Sequence, residues 1–436
     1  MISSLIFIVI LGTAGFLFSR RILAIRRNIL LGRDLSCNNN PSERWLTMIR
    51  VALGQSKMGS NPVAAFFHLL IYVGFILINI EVIEILIDGV FGSHRVLSFL
   101  GPFYDFLIGF FEVLAALVVL ACVVFLLRRN VLNIKRFQMA EMKSWPKSDA
   151  NIILTVEILL MFALLSMNAC DALLQSGNAE HYTQAGSFPV SQYLRGLYSG
   201  MSLENLIFAE RFFWWFHIVG ILSFLVYVPY SKHFHIFLAF PNTWYSNLQP
   251  KGEFNNLEAV TREVKLMLDP SADPYAAAPA DAVPHKFGAK DVQDLSWKQL
   301  MDAYTCTECG RCSSVCPANL TGKLLSPRKI MMDTRDRLEE VGKQIDLKQA
   351  IGEDGKSLLR TYISEEELWA CTTCNACTEA CPVNIDPLSI IVDLRRYLIM
   401  EESKAPDSIT GMFNNVENNG APWAFPAADR ANWINE

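Results

Sequence analysis

Eight of the eleven cysteines fall into two runs of one spacing. Cys306, Cys309, Cys312 and Cys316 precede Pro317; Cys371, Cys374, Cys377 and Cys381 precede Pro382. Both runs read C-x2-C-x2-C-x3-C-P, a spacing that wraps a cubane of iron and sulfur. Three thiolates at three-residue intervals let one tight loop hold three iron corners. The fourth cysteine, at the start of the following helix, points away toward the other cluster. The spacing therefore assigns Cys306, Cys309, Cys312 and Cys381 to one [4Fe–4S] cluster and Cys371, Cys374, Cys377 and Cys316 to a second. Small neighbours (Gly310, Ser313, Ala376) leave room for backbone N–H groups to approach the sulfurs. Zinc needs four ligands, which two C-x2-C pairs normally supply, so paired quartets with terminal prolines fit it poorly. The pattern belongs to one-electron chemistry in a reducing compartment, not to disulfides.

The elements that must carry these clusters are read from composition. The chain has 436 residues, 52% apolar and only 19% charged, against about a quarter charged in a soluble protein. Residues 1–240 hold 18 Lys+Arg and 14 Asp+Glu, whereas residues 241–436 hold 20 and 29. A hydrophobic module followed by an acidic polar one excludes a secreted disulfide scaffold and a nucleic-acid binder. Five apolar stretches, near 3–19, 62–87, 103–127, 152–174 and 209–230, fit a bilayer core that takes about 20 helical residues each. The first lacks a basic lead and is followed by Arg20 and Arg21, so it is expected to be retained. Arginines and lysines crowd the first and third loops, while the alternate loops hold only Arg95 and Arg195, apart from Arg211 at the mouth of the fifth stretch. The positive-inside rule then puts the N-terminus outside and everything after Lys232 in the cytoplasm of a bacterial inner-membrane protein.

Polar residues inside such helices need a reason. His68 sits about two turns into the second stretch, His217 in the outer half of the fifth, and His233 and His235 just past its inner end. Eighteen residues make five full turns and about 27 Å, so His217 and His235 share a face at opposite depths. On a continuous helix His233 points about 160° away from them, although Pro229 can kink it. At matching depth on the antiparallel helix, His68 is the partner of His235, as an axial pair for a b-type haem. The plainer alternative is that these imidazoles satisfy one another or lipid headgroups. Glu112 and Glu81 lie toward the outer ends of the third and second stretches, where carboxylates usually face a cavity or a proton route. With His217 they form a candidate quinone and proton site, against the alternative of a hydrogen-bonded cluster without catalysis.

Residues 241–295 change character, with six prolines and an Ala-rich stretch at 276–280. One helix is expected at 256–268 and a tether elsewhere. The 54 residues between Cys316 and Cys371 read as helical, with residues 328–332 and Leu358-Leu359 in amphipathic segments. The expected fold is mainly α. A five-helix transmembrane domain (1–240) leads through a linker (241–295) to a cytoplasmic α-helical two-[4Fe–4S], ferredoxin-like domain (296–436).

Phe67-His68 after Asn61-Pro62, and the run from Trp214-Trp215-Phe216-His217 through Pro229 to His233-Phe234-His235, resemble the cytochrome b (gamma) subunit of respiratory nitrate reductase. That resemblance implies His68 and His235 as ligands of the haem nearer the cytoplasm. The family's second haem uses a histidine where this chain has Ile78, which cannot ligate iron, so His217 is left without that role. The stretches 295–300, 321–323, 325–328 and 393–398 around the cysteine runs resemble the dicluster subunit of heterodisulfide reductases. The fusion of the two resembles membrane iron–sulfur oxidoreductases proposed to connect electron-transfer flavoprotein with quinone. In that family a further region carries two CCG cysteine repeats. The three remaining cysteines here, Cys37, Cys122 and Cys170, are scattered, and the resemblance implies a separate cysteine-rich cytoplasmic subunit.

The resulting expectation is an electron-transfer subunit working between menaquinone and a cytoplasmic redox partner. The alternative is a haem-free membrane anchor whose clusters sense redox state. No phosphate-binding Gly-rich loop, nucleophilic triad or dinucleotide fingerprint is present in the sequence.

Overall fold

The computed structural model describes residues 2–132, 134–250, 252–271, 286–348, 352 and 354–435. No strand occurs among the described residues; helices and short turns build the chain. Five long helices come first: α1 (Ile2–Ile29), α2 (Pro62–Phe91), α3 (Pro102–Asn130), α4 (Trp145–Ser176) and α5 (Leu203–Tyr227). All five are long and apolar enough to cross a membrane, and the chain is a multi-pass membrane protein. They begin where the sequence supplies caps. Asn61 accepts from the Ala64 N–H ahead of α2, with Pro62 at its first position, and Ser202 accepts from Asn205 N–H ahead of α5. The helices overrun the apolar stretches that announce them. α1 continues through Arg20, Arg21, Arg26 and Arg27, because helical hydrogen bonding does not stop where hydrocarbon does.

The chain divides into two compact units: Met1–Arg27, Ser42–Trp244 and Tyr304–Gly310 form the first, and Asn28–Pro41, Tyr245–Ala303 and Arg311–Glu436 the second. The first is organised around Phe7, Ile78, Tyr104, Phe111, Val118, Leu160, Leu164, Trp214 and Ile218. Helices α4 and α5 approach closely at Gly220, where a Cβ would stand 2.5 Å from Leu160 Cδ2. At the end carrying the α2–α3 and α4–α5 connections lies a buried polar network. Arg95 donates to Asp171 (2.6 Å), Tyr104 (3.0 Å) and Asn168 (3.0 Å), and Tyr104 donates to Glu84 (2.9 Å). Asp88 accepts from the backbone of Arg95 at 2.8 Å. A guanidinium in this setting is tolerable only with its donors met, and each donation fixes a loop to a helix.

Helix α6 (His235–Trp244) closes the membrane part of the first unit. Shorter helices follow in the chain: α7 (Glu258–Leu268), α8 (Trp297–Thr305), α9 (Arg311–Val315), α10 (Pro317–Leu320) and α11 (Pro327–Lys348). Then come α12 (Glu365–Trp369), α13 (Ala376–Ala380), α14 (Pro387–Met400) and α15 (Asp407–Asn419). The helix expected at 256–268 is α7, whereas the Ala-rich stretch at 276–280 lies outside the described residues. In the second unit Ala289, Val292 and Leu295 are fully buried with Ile330, Leu338, Ile390 and Leu394. Gly288, at φ +70°, lets the next amide reach Asp393 O; a Cβ there would lie 2.2 Å from that oxygen. The expected helix at Leu358-Leu359 is instead a kinked turn with Leu359 at ψ 130° and Arg360 at φ 73°. Its leucines are wholly buried, so apolarity there reports burial rather than helical period.

Arg337 of α11 pins that turn. It donates to Asp291 (2.7 Å), Asp354 (2.6 Å) and Lys356 O (3.0 Å). Its guanidinium holds the Asp354 carboxyl well below the usual carboxylate range. Because the folded value is depressed, the stability Asp354 contributes is present above its unfolded value and is lost as pH falls through the folded one. Arg337→Met is expected to cost about 2–3 kcal/mol and to abolish part of the acid dependence below about pH 4. Thermal unfolding of the detergent-solubilised full chain at pH 7 and pH 3.5 measures both.

Candidate metal centres

The two cysteine runs are built from the same local backbone. Each starts in an irregular loop and enters a short helix, α9 or α13, that carries the third cysteine, Cys312 or Cys377. In the first loop Glu308 and Gly310 have φ of 56° and 71°; in the second, Thr373 and Asn375 have 54° and 62°. These are equivalent positions flanking the middle cysteine of each loop. Left-handed backbone costs a non-glycine residue about 1–2 kcal/mol, and its recurrence in both loops marks a turn required to aim the thiols. The fourth cysteines differ. Cys316 caps α10 through Pro317, as expected, but Cys381-Pro382 leads into a turn, and the next helix waits until Pro387.

Cys371, Cys374, Cys377 and Cys316 all belong to the second unit. They lie near one another: the charges of Cys316 and Cys374 act on Cys371, and that of Cys371 on Cys377. Helices α9 and α13 pack together. Burial above all raises the Cys371 thiol, opposed by Thr373 N–H and Arg395, while burial and Asp386 push Cys377 up to about 12. Burial raises the Cys371 and Cys377 thiols, so these two become thiolates most readily when a cation binds them. Thr373 N–H donates to Cys371 Sγ at 3.4 Å and Ile385 N–H to Cys381 Sγ at 3.3 Å, contacts of the kind that tune cluster potential. Of the other quartet, Cys306 and Cys309 fall in the first unit and Cys312 and Cys381 in the second. No cysteine among the described residues forms a disulfide.

The imidazoles converge differently from a continuous helix. After α5 come a 3-10 turn at Val228–Tyr230, extended Ser231, another turn at Lys232–Phe234, and then α6 beginning at His235. The break removes the 160° separation. His233 and His235 have ring centroids 5.7 Å apart and nearly perpendicular planes, and His233 also lies in the field of His68. Phe75 and Phe224 flank His233. Burial lowers His233 to about 3 and lowers His235, so both are neutral, the form that binds metal. His235 Nδ1 stands 3.1 Å from Lys232 O. A carbonyl only accepts, so Nδ1 holds the proton and Nε2 the lone pair, the arrangement metal-ligating histidines use. Neutral imidazole is the chemical type that ligates haem iron.

The segment that presents His233 and His235 is anchored by Lys232. Its backbone N–H donates to Asp149 Oδ2 at 3.1 Å, its ammonium to Pro146 O at 2.6 Å, and it pairs with Asp149 and Glu308. Glu308 is the left-handed residue just before Cys309. The sequence marks Lys232 only as the inner boundary of the fifth stretch; its burial and its two carboxylate partners reveal the anchoring role.

The structure brings Glu81 and Glu112 to the Arg95 network and places His217 deeper. Glu112 accepts from Asn168 (3.1 Å), Val190 N (2.9 Å), Ser191 N (3.1 Å) and Ser191 Oγ. Glu81 lies within the field of Arg95 and Glu112, and its Oε2 is buried without a hydrogen-bond partner. His217 donates from Nδ1 to Leu160 O at 2.8 Å, which leaves its buried Nε2 without a partner. Leu160 and Asn168 are separated by eight residues of α4, about 12 Å. Ile78 packs in the same core as Leu160, Trp214 and Ile218.

A family described as a 4Fe–4S dicluster domain matches residues 305–385. Across its whole length the chain is 28% identical to the probable iron-sulfur-binding oxidoreductase FadF of Bacillus subtilis, covering 61% of that protein. It is 27% identical to the EtfAB:quinone oxidoreductase of Syntrophomonas wolfei, over 94% of this chain and 56% of that one. It therefore spans little more than half the length of these relatives. One subunit of the ferredoxin:CoB-CoM heterodisulfide reductase of Methanosarcina mazei is 29% identical over 24% of this chain and 53% of its own. No solved structure matches the chain. It carries a two-cluster iron–sulfur domain, and these similarities are to oxidoreductases and their subunits.

Arg395 donates to Leu368 O (3.0 Å) and Cys371 O (2.5 Å) over the Trp369 ring, a fixed positive charge beside the second quartet. Arg395→Met should shift that cluster's midpoint negative by tens of millivolts, because a cation favours the reduced form. An EPR-monitored redox titration reads the shift, and Arg395→Lys should restore part of it.

Proposed function

We propose that this chain is the electron-transfer subunit of an oxidoreductase in a bacterial inner membrane, linking menaquinone to a redox partner on the cytoplasmic side. Cys306, Cys309, Cys312 and Cys381 would hold one [4Fe–4S] cluster and Cys371, Cys374, Cys377 and Cys316 the other, while His68 and His235 would hold a single haem b. When bound, these groups supply one-electron transfer. The observation that carries the reading is the gathering of His68, His233 and His235 at one end of an apolar bundle in a chain whose other module matches a dicluster domain.

The chain's own residues supply orientation and proton positions. Lys232 O fixes the His235 tautomer. His217 Nε2 has a lone pair available to accept a proton from a quinol hydroxyl, and Glu81 Oε2 is a second unmet atom in the bundle. Glu112, met by four donors, holds the α4–α5 connection in place and acts on the site through Glu81's surroundings. The inferred partner is an electron-transfer flavoprotein, supported by similarity to an EtfAB:quinone oxidoreductase.

Purified full chain should show b-type absorbance that reduces on adding a menaquinol analogue. His68→Ala and His235→Ala should each lose that absorbance with cluster iron unchanged, whereas Glu81→Gln and His217→Ala should keep the haem and slow its reduction at least tenfold. Full iron and sulfide without any haem would instead support the anchor reading.

A further inference from the structure

The two cysteine loops share a backbone but differ in the side chain that precedes the middle cysteine. That residue is left-handed in both, at φ 56° for Glu308 and 54° for Thr373. In the second loop the Thr373 hydroxyl turns onto its own loop and donates to Thr372 O at 2.8 Å. In the first, Glu308 reaches out of the loop and accepts from the ammonium of Lys232. Both partners belong to the same compact unit, with 3% of the Glu308 side chain and 10% of the Lys232 side chain exposed. Water screens a pair this buried only weakly. From α4, Asp149 stands 3.7 Å from the same ammonium and Pro146 O accepts from it at 2.6 Å. Glu308 is therefore tied to a point that is itself fixed.

Each member of the pair is the chain neighbour of a candidate redox ligand or its companion. Cys309 follows Glu308; His233 follows Lys232, with His235 two residues further on. Consecutive Cα atoms are about 3.8 Å apart, so one ion pair ties the backbone beside a thiol of the first run to the backbone beside the imidazoles. We propose that the first cysteine run supplies the cluster that exchanges electrons with the histidine site, and that Glu308 is the residue positioning the two for that exchange. The proposal rests on reading His68 and His235 as haem ligands. One electron passes, one centre being oxidised as the other is reduced, and no bond or proton changes. Glu308 acts through Lys232 on one side and through the Cys309 backbone on the other.

The test follows midpoint potentials in the detergent-solubilised full chain, the clusters by EPR and the haem by its visible absorbance. Cys309→Ser, which gives one iron an oxygen ligand, identifies the first cluster's signal. Glu308→Gln removes a negative charge and leaves the Lys232 ammonium in place, and positive charge favours the reduced form. The first cluster and the haem should both shift positive, by about a fivefold change in reduced-to-oxidised ratio at fixed potential, while the second cluster stays. Lys232→Met should move the same two centres negative, and Glu308→Asp, which keeps the charge, should lie nearer wild type than Glu308→Gln. Removing both charges in Lys232→Met/Glu308→Met orphans neither group, so this chain folds where a single variant does not. Pre-reduced and mixed with a menaquinone analogue, it should reoxidise its clusters about tenfold more slowly than wild type. Iron content checks folding throughout. A folded Glu308→Gln chain whose haem is unmoved, or whose second cluster moves instead of the first, would overturn the proposal alone. Wild type without b-type absorbance would fail the haem reading, and the proposal with it.

Discussion

The ammonium of Lys232 is the interaction on which the histidine site depends. A lysine this deeply placed has to be met by carboxylates or lose its charge. Asp149 and Glu308 meet it, and Asp149 also accepts from the Lys232 backbone and from Tyr227. With both its backbone and its side chain held, Lys232 cannot follow α5 as one more helical turn. The break at Ser231 results, and it turns His233 and His235 toward the same neighbourhood instead of opposite faces. The carbonyl of the same residue then fixes the proton of His235 on Nδ1.

A second constraint acts at the other end of the bundle. Arg95, Asp171, Glu84 and Glu112 are all buried, and each lies where water cannot satisfy it. Their mutual bonds determine the course of the α2–α3 and α4–α5 connections, which have little regular structure of their own. Glu112 is met by four donors, whereas His217 Nε2 and Glu81 Oε2 are buried without a hydrogen-bond partner. Polar residues of one chemical type thus divide into scaffold and candidate reactant by counting donors.

Much of this was readable along the chain. Cysteine spacing marked the dicluster region that the family match covers, because such motifs are local: each run puts its first three cysteines within seven consecutive residues. Apolar runs marked five helices because hydrocarbon thickness sets a minimum length. The reading failed where a signal had two causes. Leu358-Leu359 looked helical but is a buried turn, and the angular relation of His233 to His235 assumed a helix that Lys232 and Pro229 interrupt. Arg395, beside Cys371, gave no sign of its place, since an arginine on an amphipathic helix ordinarily faces solvent.

The amino-acid sequence by itself determined the elements and the chemistry they can carry, because periodicity, capping and ligand spacing are properties of short segments. Tertiary structure decided which of the many charged and imidazole side chains are buried, which atoms are already satisfied, and which face one another. Those outcomes depend on desolvation and on partners up to 200 residues away, as for Arg44 and Trp244 O, and no local window contains them.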